Sequence, residues 1–240
     1  TKSPAADKTN NENESNNSKK NVSKTPSVIN DSQSPIGGNI TVNTDVPQRK
    51  FTVRIDGIKD IGEAGIDKVL FRSSADMEGN HYLEWYTGKD LGNGTWEVEI
   101  SLSKSINKTE KFYISVFADD KAKNRSFLGM AGALIRGDSL SHKVVTNNPV
   151  TSQGYFTLNI SDIKGINYDD INYIIFSTWN IEDGGNKIHY KDYTLSENIW
   201  STTVNLSDFN NKKGIYYIHI QVNYKDDKNQ IFALAYVENK

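Results

Sequence analysis

The pattern of apolar and turn residues between Phe51 and Ala133 is written a second time between Phe156 and Val237. A repeat of this length commits the chain to two copies of one unit, each needing its own core. In the first copy Phe51, Val53 and Ile55 alternate with polar neighbours in the period of a half-buried strand, and Phe156, Leu158 and Ile160 answer them 105 residues later. Ile58 and Ile61 recur as Ile163 and Ile166 at the same offset. Val69-Leu70-Phe71 and Ile174-Ile175-Phe176 are dense in β-branched and aromatic residues and read as a central strand.

The next strand is read with Leu83 and Trp85 facing the core, opposite Ile188 and Tyr190 in the second copy. Tyr82, Glu84 and Tyr86 then face solvent, as do Lys187, His189 and Lys191. After the turn dipeptide Asn93-Gly94, the alternating series Trp96, Val98, Ile100 and Leu102 matches Trp200, Thr202, Val204 and Leu206, now at an offset of 104. The lost residue is placed in the loop just before Trp200, where insertions and deletions are tolerated. Phe112, Ile114 and Val116 match Tyr216, Ile218 and Ile220, and a last strand runs through Phe127 to Ala133 against Ile231 to Val237.

About six short strands per copy, turn signals every 8–12 residues or so and no helical period predict an all-β fold: two tandem antiparallel immunoglobulin-like sandwiches. The expected organisation is a disordered spacer over 1–49, repeats over 50–135 and 155–240, and a linker over 136–154. The first 49 residues are rich in Asn, Ser and Lys and hold four of the five prolines, too polar a composition to offset the entropy of ordering. Asn39-Ile40-Thr41-Val42-Asn43 within it, and Val144-Val145 within the linker, are candidates for added edge strands.

Composition excludes several functions. The chain has no cysteine, so there is no disulfide framework, thiolate metal site or cysteine nucleophile. A formal net charge of −2 gives no field to draw it to nucleic acid or an anionic membrane, and no run approaches the 18 or so apolar residues of a membrane span. The chain opens at Thr1, which suits removal of an upstream export signal. None of the four histidines recurs in the partner copy. No catalytic group, cofactor or metal is assigned, although Glu182-Asp183-Gly184-Gly185-Asn186 offers oxygens to calcium, His189 and His219 fall on outward phases, and Arg136-Gly137-Asp138 is a short adhesion-like tripeptide.

The order of features in both copies resembles the group B streptococcal Bsp-like repeat, a module of Gram-positive surface proteins and cell-wall hydrolases. The resemblance lies in Phe51-Thr52-Val53-Arg54-Ile55, Val69-Leu70-Phe71, Trp85-Tyr86, Gly92-Asn93-Gly94-Thr95-Trp96 and Tyr113-Ile114-Ser115-Val116. The second copy answers with Ile174-Ile175-Phe176-Ser177-Thr178-Trp179, Tyr190, Asn198-Ile199-Trp200 and Tyr216-Tyr217-Ile218-His219-Ile220. It implies a noncatalytic accessory module, secreted or at the cell surface, that binds wall polymer such as peptidoglycan or wall glycan. The alternatives are a spacer or adhesin docking another surface protein, and a cell-wall hydrolase. Trp179 ends a strand beside a polar loop and has Ser74 as its counterpart; sugar rings stack on such exposed faces. The candidate ligand-binding residues are Tyr82, Tyr86, Trp179, Lys187, His189 and Lys191.

Overall fold

A computed structural model of the protein describes residues 30–75, 82–102, 111–135, 140–147, 153–192 and 198–240, with the side chains of residues 82, 83 and 183 outside that set. His81 and Arg136-Gly137-Asp138 also lie outside it. In the first copy the strands are β1 (Asn39–Asp45), β2 (Lys50–Asp56), β3 (Ile66–Ser74), β4 (Tyr82–Thr87), β5 (Lys89–Gly92), β6 (Thr95–Ser101), β7 (Lys111–Asp120) and β8 (Arg125–Leu134). The second copy holds β9 (Ser141–Asn147), β10 (Tyr155–Lys164), β11 (Ile171–Asn180), β12 (Lys187–Asp192), β13 (Trp200–Asn205), β14 (Gly214–Tyr224) and β15 (Asn229–Asn239). The fold is all-β with immunoglobulin-like, antiparallel sandwiches, as the alternation predicts.

Each copy closes its core with a four-stranded sheet, β4-β3-β7-β8 in the first and β12-β11-β14-β15 in the second. The facing layer is shared: one seven-stranded sheet runs β13-β10-β9-β1-β2-β6-β5 through both copies. Equivalent residues do equivalent work in the two cores. Phe51 meets Phe112 with ring centroids 5.4 Å apart, and Phe156 meets Tyr216 at 5.4 Å. Ile55 pairs with Trp96, and Ile160 with Trp200, and all four are buried. Burial of such side chains, worth about 1.5–3 kcal/mol each, is what drives a cysteine-free chain to fold.

The shared sheet corrects the expected boundaries. Residues 39–45 belong to no spacer: β1 lies between β2 and β9, with Ile40 and Val42 buried. Residues 141–147 likewise form an interior strand, and neither segment is at an edge. Their β-branched alternation is visible in the sequence; a second strand of the same kind about a hundred residues away is what moves each from edge to centre.

The β1–β9 joint is nearly two-fold symmetric. Val42 sits opposite Val144. Thr44 Oγ1 donates to the carbonyl of His142, and Thr146 Oγ1 to that of Ile40, both at 3.4 Å. Above this joint, the faces of β8 and β15 turned away from their own cores pack on each other. With Tyr217 of β14 they form a third apolar cluster of Met130, Leu134, Tyr217, Leu234 and Tyr236. The two sandwiches are thus fused along both layers.

Candidate functional site

The outward face of the second copy is set by the ladder of β11 with its neighbours. Phe176 points into the core and pairs with Tyr190 and Ile220, so the adjacent Ser177 and Trp179 point outward, as alternation requires. Trp179 lies between Lys187 on β12 and Tyr217 on β14, and Ser177 between His189 and His219. Lys187 Nζ stands 4.5 Å from the centre of the Trp179 ring, and Lys191 Nζ 5.0 Å from that of Tyr173. Such contacts contribute on the order of 0.5–1 kcal/mol at exposed sites. Tyr217 stacks on Trp179 at 5.7 Å, and the His219 ring stands edge-on to it at 4.8 Å. Ser177 Oγ lies 2.8 Å from His189 Nδ1.

The structure therefore brings together four of the six expected residues: Trp179, Lys187, His189 and Lys191. The other two do not join them. Tyr82 belongs to β4 of the first copy, its side chain outside the described set. Tyr86 is half-buried against the first core, its hydroxyl donating to Glu84 at 3.1 Å.

Tyr86 also corrects the expected phase of β4. Phe71 pairs with Tyr86 as Phe176 pairs with Tyr190, so Tyr86 is the counterpart of Tyr190, and Trp85 that of His189. The residue missing from the second copy therefore falls before β12 and not in the loop before Trp200. Moving that single gap across a strand exchanges its two faces. Trp85, expected inside, is 40% exposed. Its ring packs 5.5 Å from Phe117, and the Arg72 guanidinium lies 5.7 Å from the centre of each ring. Each copy thus presents a cation over an outward tryptophan, built from different positions.

The two histidines on this face stand on β12 and β14, separated by β11; among the described residues, the group of three ligand-bearing side chains whose atoms converge is Asp31, Asp60 and Asp120, all within 4.8 Å of one another. Asp120 is fully buried and accepts from the backbone and side-chain nitrogens of Asn124, each at 2.8 Å. Asp31 accepts from the amides of Gln33 and Ala64, which hold its carboxyl below the usual range, and Asp60 from that of Gly65 at 2.5 Å. Oxygens set this way suit a hard cation, and they also tie residues 31–33 to the β7–β8 turn. No sequence spacing signals them, because three separate segments contribute: the stretch before β1, the β2–β3 loop and the end of β7. Asn180 caps a short turn at Glu182, in the loop whose oxygens suggest calcium from the sequence. Asp119, next to Asp120, is held by Arg125 and Lys68, and the Arg125 bond draws its carboxyl down.

His142, expected in a linker, is 3% exposed in β9. Its Nδ1 lies 2.7 Å from the Leu140 carbonyl and 3.0 Å from Thr44 Oγ1, while Nε2 is buried without a partner. Burial pushes its pKa down to about 4 against the pull of the Leu140 carbonyl.

No helix among the described residues is long and apolar enough to cross a membrane. No protein-family model and no curated protein matches the chain. Among solved structures, a tetra-tandem repeat from the extending region of a large adhesion protein aligns with 86% of this chain at 9% identity and a TM-score of 0.30, and the chain spans about half of it (48%). Fibronectin(III)-like modules of Clostridium thermocellum CbhA align over 80% of this chain and 86% of theirs, at 9% identity and a TM-score of 0.26. A DUF3823 family protein from Bacteroides ovatus aligns over 86% and 99%, at 11% identity and a TM-score of 0.31. Likenesses this distant transfer no site.

Proposed function

We propose that the chain is a noncatalytic protein of a Gram-positive cell envelope, secreted or surface-attached, that holds wall polymer on the outward face of β11, β12 and β14. The carrying observation is Trp179, an outward-pointing indole half-buried against the seam cluster and bracketed by Lys187, Tyr217 and His219, with His189 and Lys191 along the neighbouring strand. A flat aromatic face beside hydrogen-bonding and charged groups suits a sugar ring and its substituents. The envelope assignment draws on the resemblance of both copies to the Bsp-like repeat. The Trp85–Arg72 surface offers a second contact on the same body, and two weak contacts held together gain through effective concentration.

Sedimentation with purified Gram-positive cell walls tests this. The protein should pellet with the wall at physiological salt, and Trp179→Ala should lower its retention about 5- to 10-fold, the size of one lost stacking and cation–π contact. A correctly folded protein that stays in the supernatant would sink the proposal. Steady release of dye from dye-labelled wall would overturn its noncatalytic part. A rigid spacer is the second reading, favoured by the seven-stranded sheet that fuses the copies; it expects no effect of Trp179→Ala on any binding.

A further inference from the structure

The electrostatics of the Trp179 face extend into the first copy. Lys111 opens β7 and is exposed. It pairs with Leu134, whose side chain lies in the cluster between the copies, so Lys111 stands on the face of β7 turned towards the second copy. Two residues on, and on that same face, Tyr113 packs 5.4 Å from Tyr236, which in turn meets Tyr217 at 5.6 Å, next to Trp179. An aromatic row thus leads from Lys111 across the seam to Lys187. The fields of Lys111 and Lys187 both reach His219; together with burial, the larger cause, they hold its imidazole neutral with a pKa of about 4.

On the other side of Trp179, Lys187, His189 and Lys191 alternate on one face of β12, spaced ~7 Å apart by strand geometry. Lys111, Lys187 and Lys191 form no ion pair with any described residue. Of the acids in this part of the fold, Glu238 pairs with Lys240, Asp208 accepts from the Tyr190 hydroxyl and Asp192 from the Ser201 amide, while Glu182 is exposed in the turn between β11 and β12. Three lysines without an ion pair among the described residues therefore line this side of a chain whose formal net charge is −2. A neutral glycan leaves them repelling one another; a polymer with regularly repeated negative charge neutralises them and is steered to the face before contact.

We infer that the ligand of this face is an anionic polymer, and that Lys111 of the first copy completes the site formed by Trp179, Lys187 and Lys191 of the second. The inference rests on the proposal that the Trp179 face holds wall polymer. Its shared chemistry is a repeated anion, phosphodiester or uronate. The site exists only when the two copies are fused as they are here, because Lys111 belongs to one copy and Lys187 and Lys191 to the other.

The test compares retention of the full chain on intact walls, on walls stripped of phosphodiester-linked polymers by hydrofluoric acid, and on intact walls with soluble polyphosphate or polygalacturonate as competitor. Retention that falls steeply with added salt and is lost on stripping or competed by polyphosphate supports a phosphodiester ligand. Retention that survives stripping but yields to polygalacturonate supports a uronate. Either result supports the inference, together with a 3- to 10-fold loss in Lys111→Gln that Lys111→Arg restores, at an unchanged thermal midpoint. Retention that ignores salt and both competitors while Trp179→Ala still lowers it overturns the anionic ligand and leaves the wall-binding proposal standing. Unchanged retention in Lys111→Gln removes Lys111 from the site. No retention of the unmodified protein on any wall overturns both.

Discussion

The first copy carries Gly132 where the second carries Tyr236, and at a nearly two-fold seam the two positions have to differ. A side chain begun at Gly132 would place its Cβ 2.2 Å from Tyr236 Cε2 and 3.0 Å from Leu234 Cβ. Tyr236 uses the room that Gly132 provides, reaching Tyr113 of the first copy and Tyr217 of its own. The two halves of the molecule share a scaffold and have become a matched pair: each core repeats the other, while the seam requires one large and one absent side chain. Two identical copies could not close in this way, so the seam distinguishes a fused pair from two beads on a string.

Removing the large partner should have the largest effect. Tyr236 is 3% exposed, so Tyr236→Ala leaves a cavity between the copies and should cost about 3–5 kcal/mol, read by urea denaturation. Gly132→Ala should cost about 1–3 kcal/mol by overpacking against the same ring. Combined, the two should cost clearly less than their sum, because the ring that the added methyl group strikes is gone. Simple additivity would show that the residues do not meet, and would break the matched-pair account.

The seam is also the least legible part of the chain. Within each copy, alternation locates nearly every strand, since one face of each is buried and the period of two is imposed by the pleat. It places Trp96 and Trp200 inside, and they are 8% and 2% exposed. It misplaces Trp85 because a single gap, put on the wrong side of β4, reverses that strand's faces; the pairing of Phe71 with Tyr86 settles it, and pairing is not written locally. For β1 and β9 the strand character is visible and the partner is not, because each strand's neighbour belongs to the other copy. The same reason hides Lys111, which has meaning only beside residues on β11 and β12. The acidic cluster of Asp31, Asp60 and Asp120 is invisible for want of any spacing rule.

A second departure from symmetry lies below the seam, where His142 occupies the place that Ile40 holds in the first copy. Ile40 is 1% exposed and simply buried. His142 is buried as the neutral imidazole, edge-on to Phe232 at 5.4 Å, with its folded pKa lowered to about 4 from 6.5. The unfolded chain takes up the proton first, so this residue's contribution is complete above about pH 6.5 and is lost as pH falls towards 4. The loss is on the order of 3 kcal/mol at full effect. His219, lowered in the same direction, adds to the trend, so the informative quantity is the difference between chains. His142→Ile, which makes the joint more symmetric, should unfold at a higher urea concentration than the parent at pH 4.5 and lie closer to it at pH 7. Parallel pH dependence in the two would show that the His142 imidazole is not held neutral.

The smallest effect is expected on the outward faces, where the copies differ most. Arg72 of the first copy stands where the second has Ser177, and its guanidinium spans the rings of Trp85 and Phe117 at 5.7 Å from each. Its Nη2 reaches Ser115 Oγ only at 3.5 Å, and its Nε is buried without a partner. The cation–π attraction is therefore opposed by a desolvated donor, and Arg72→Ser should change stability by no more than about 1 kcal/mol. The exposed Trp85 indole should lose its cover and shift its emission to the red. A loss well beyond that size would mean that the Arg72 stem holds β3 and β4 together, making this face part of the scaffold. A small loss with the red shift would show that the scaffold does not need this face, so that the two copies share a core and differ in what they carry outside it.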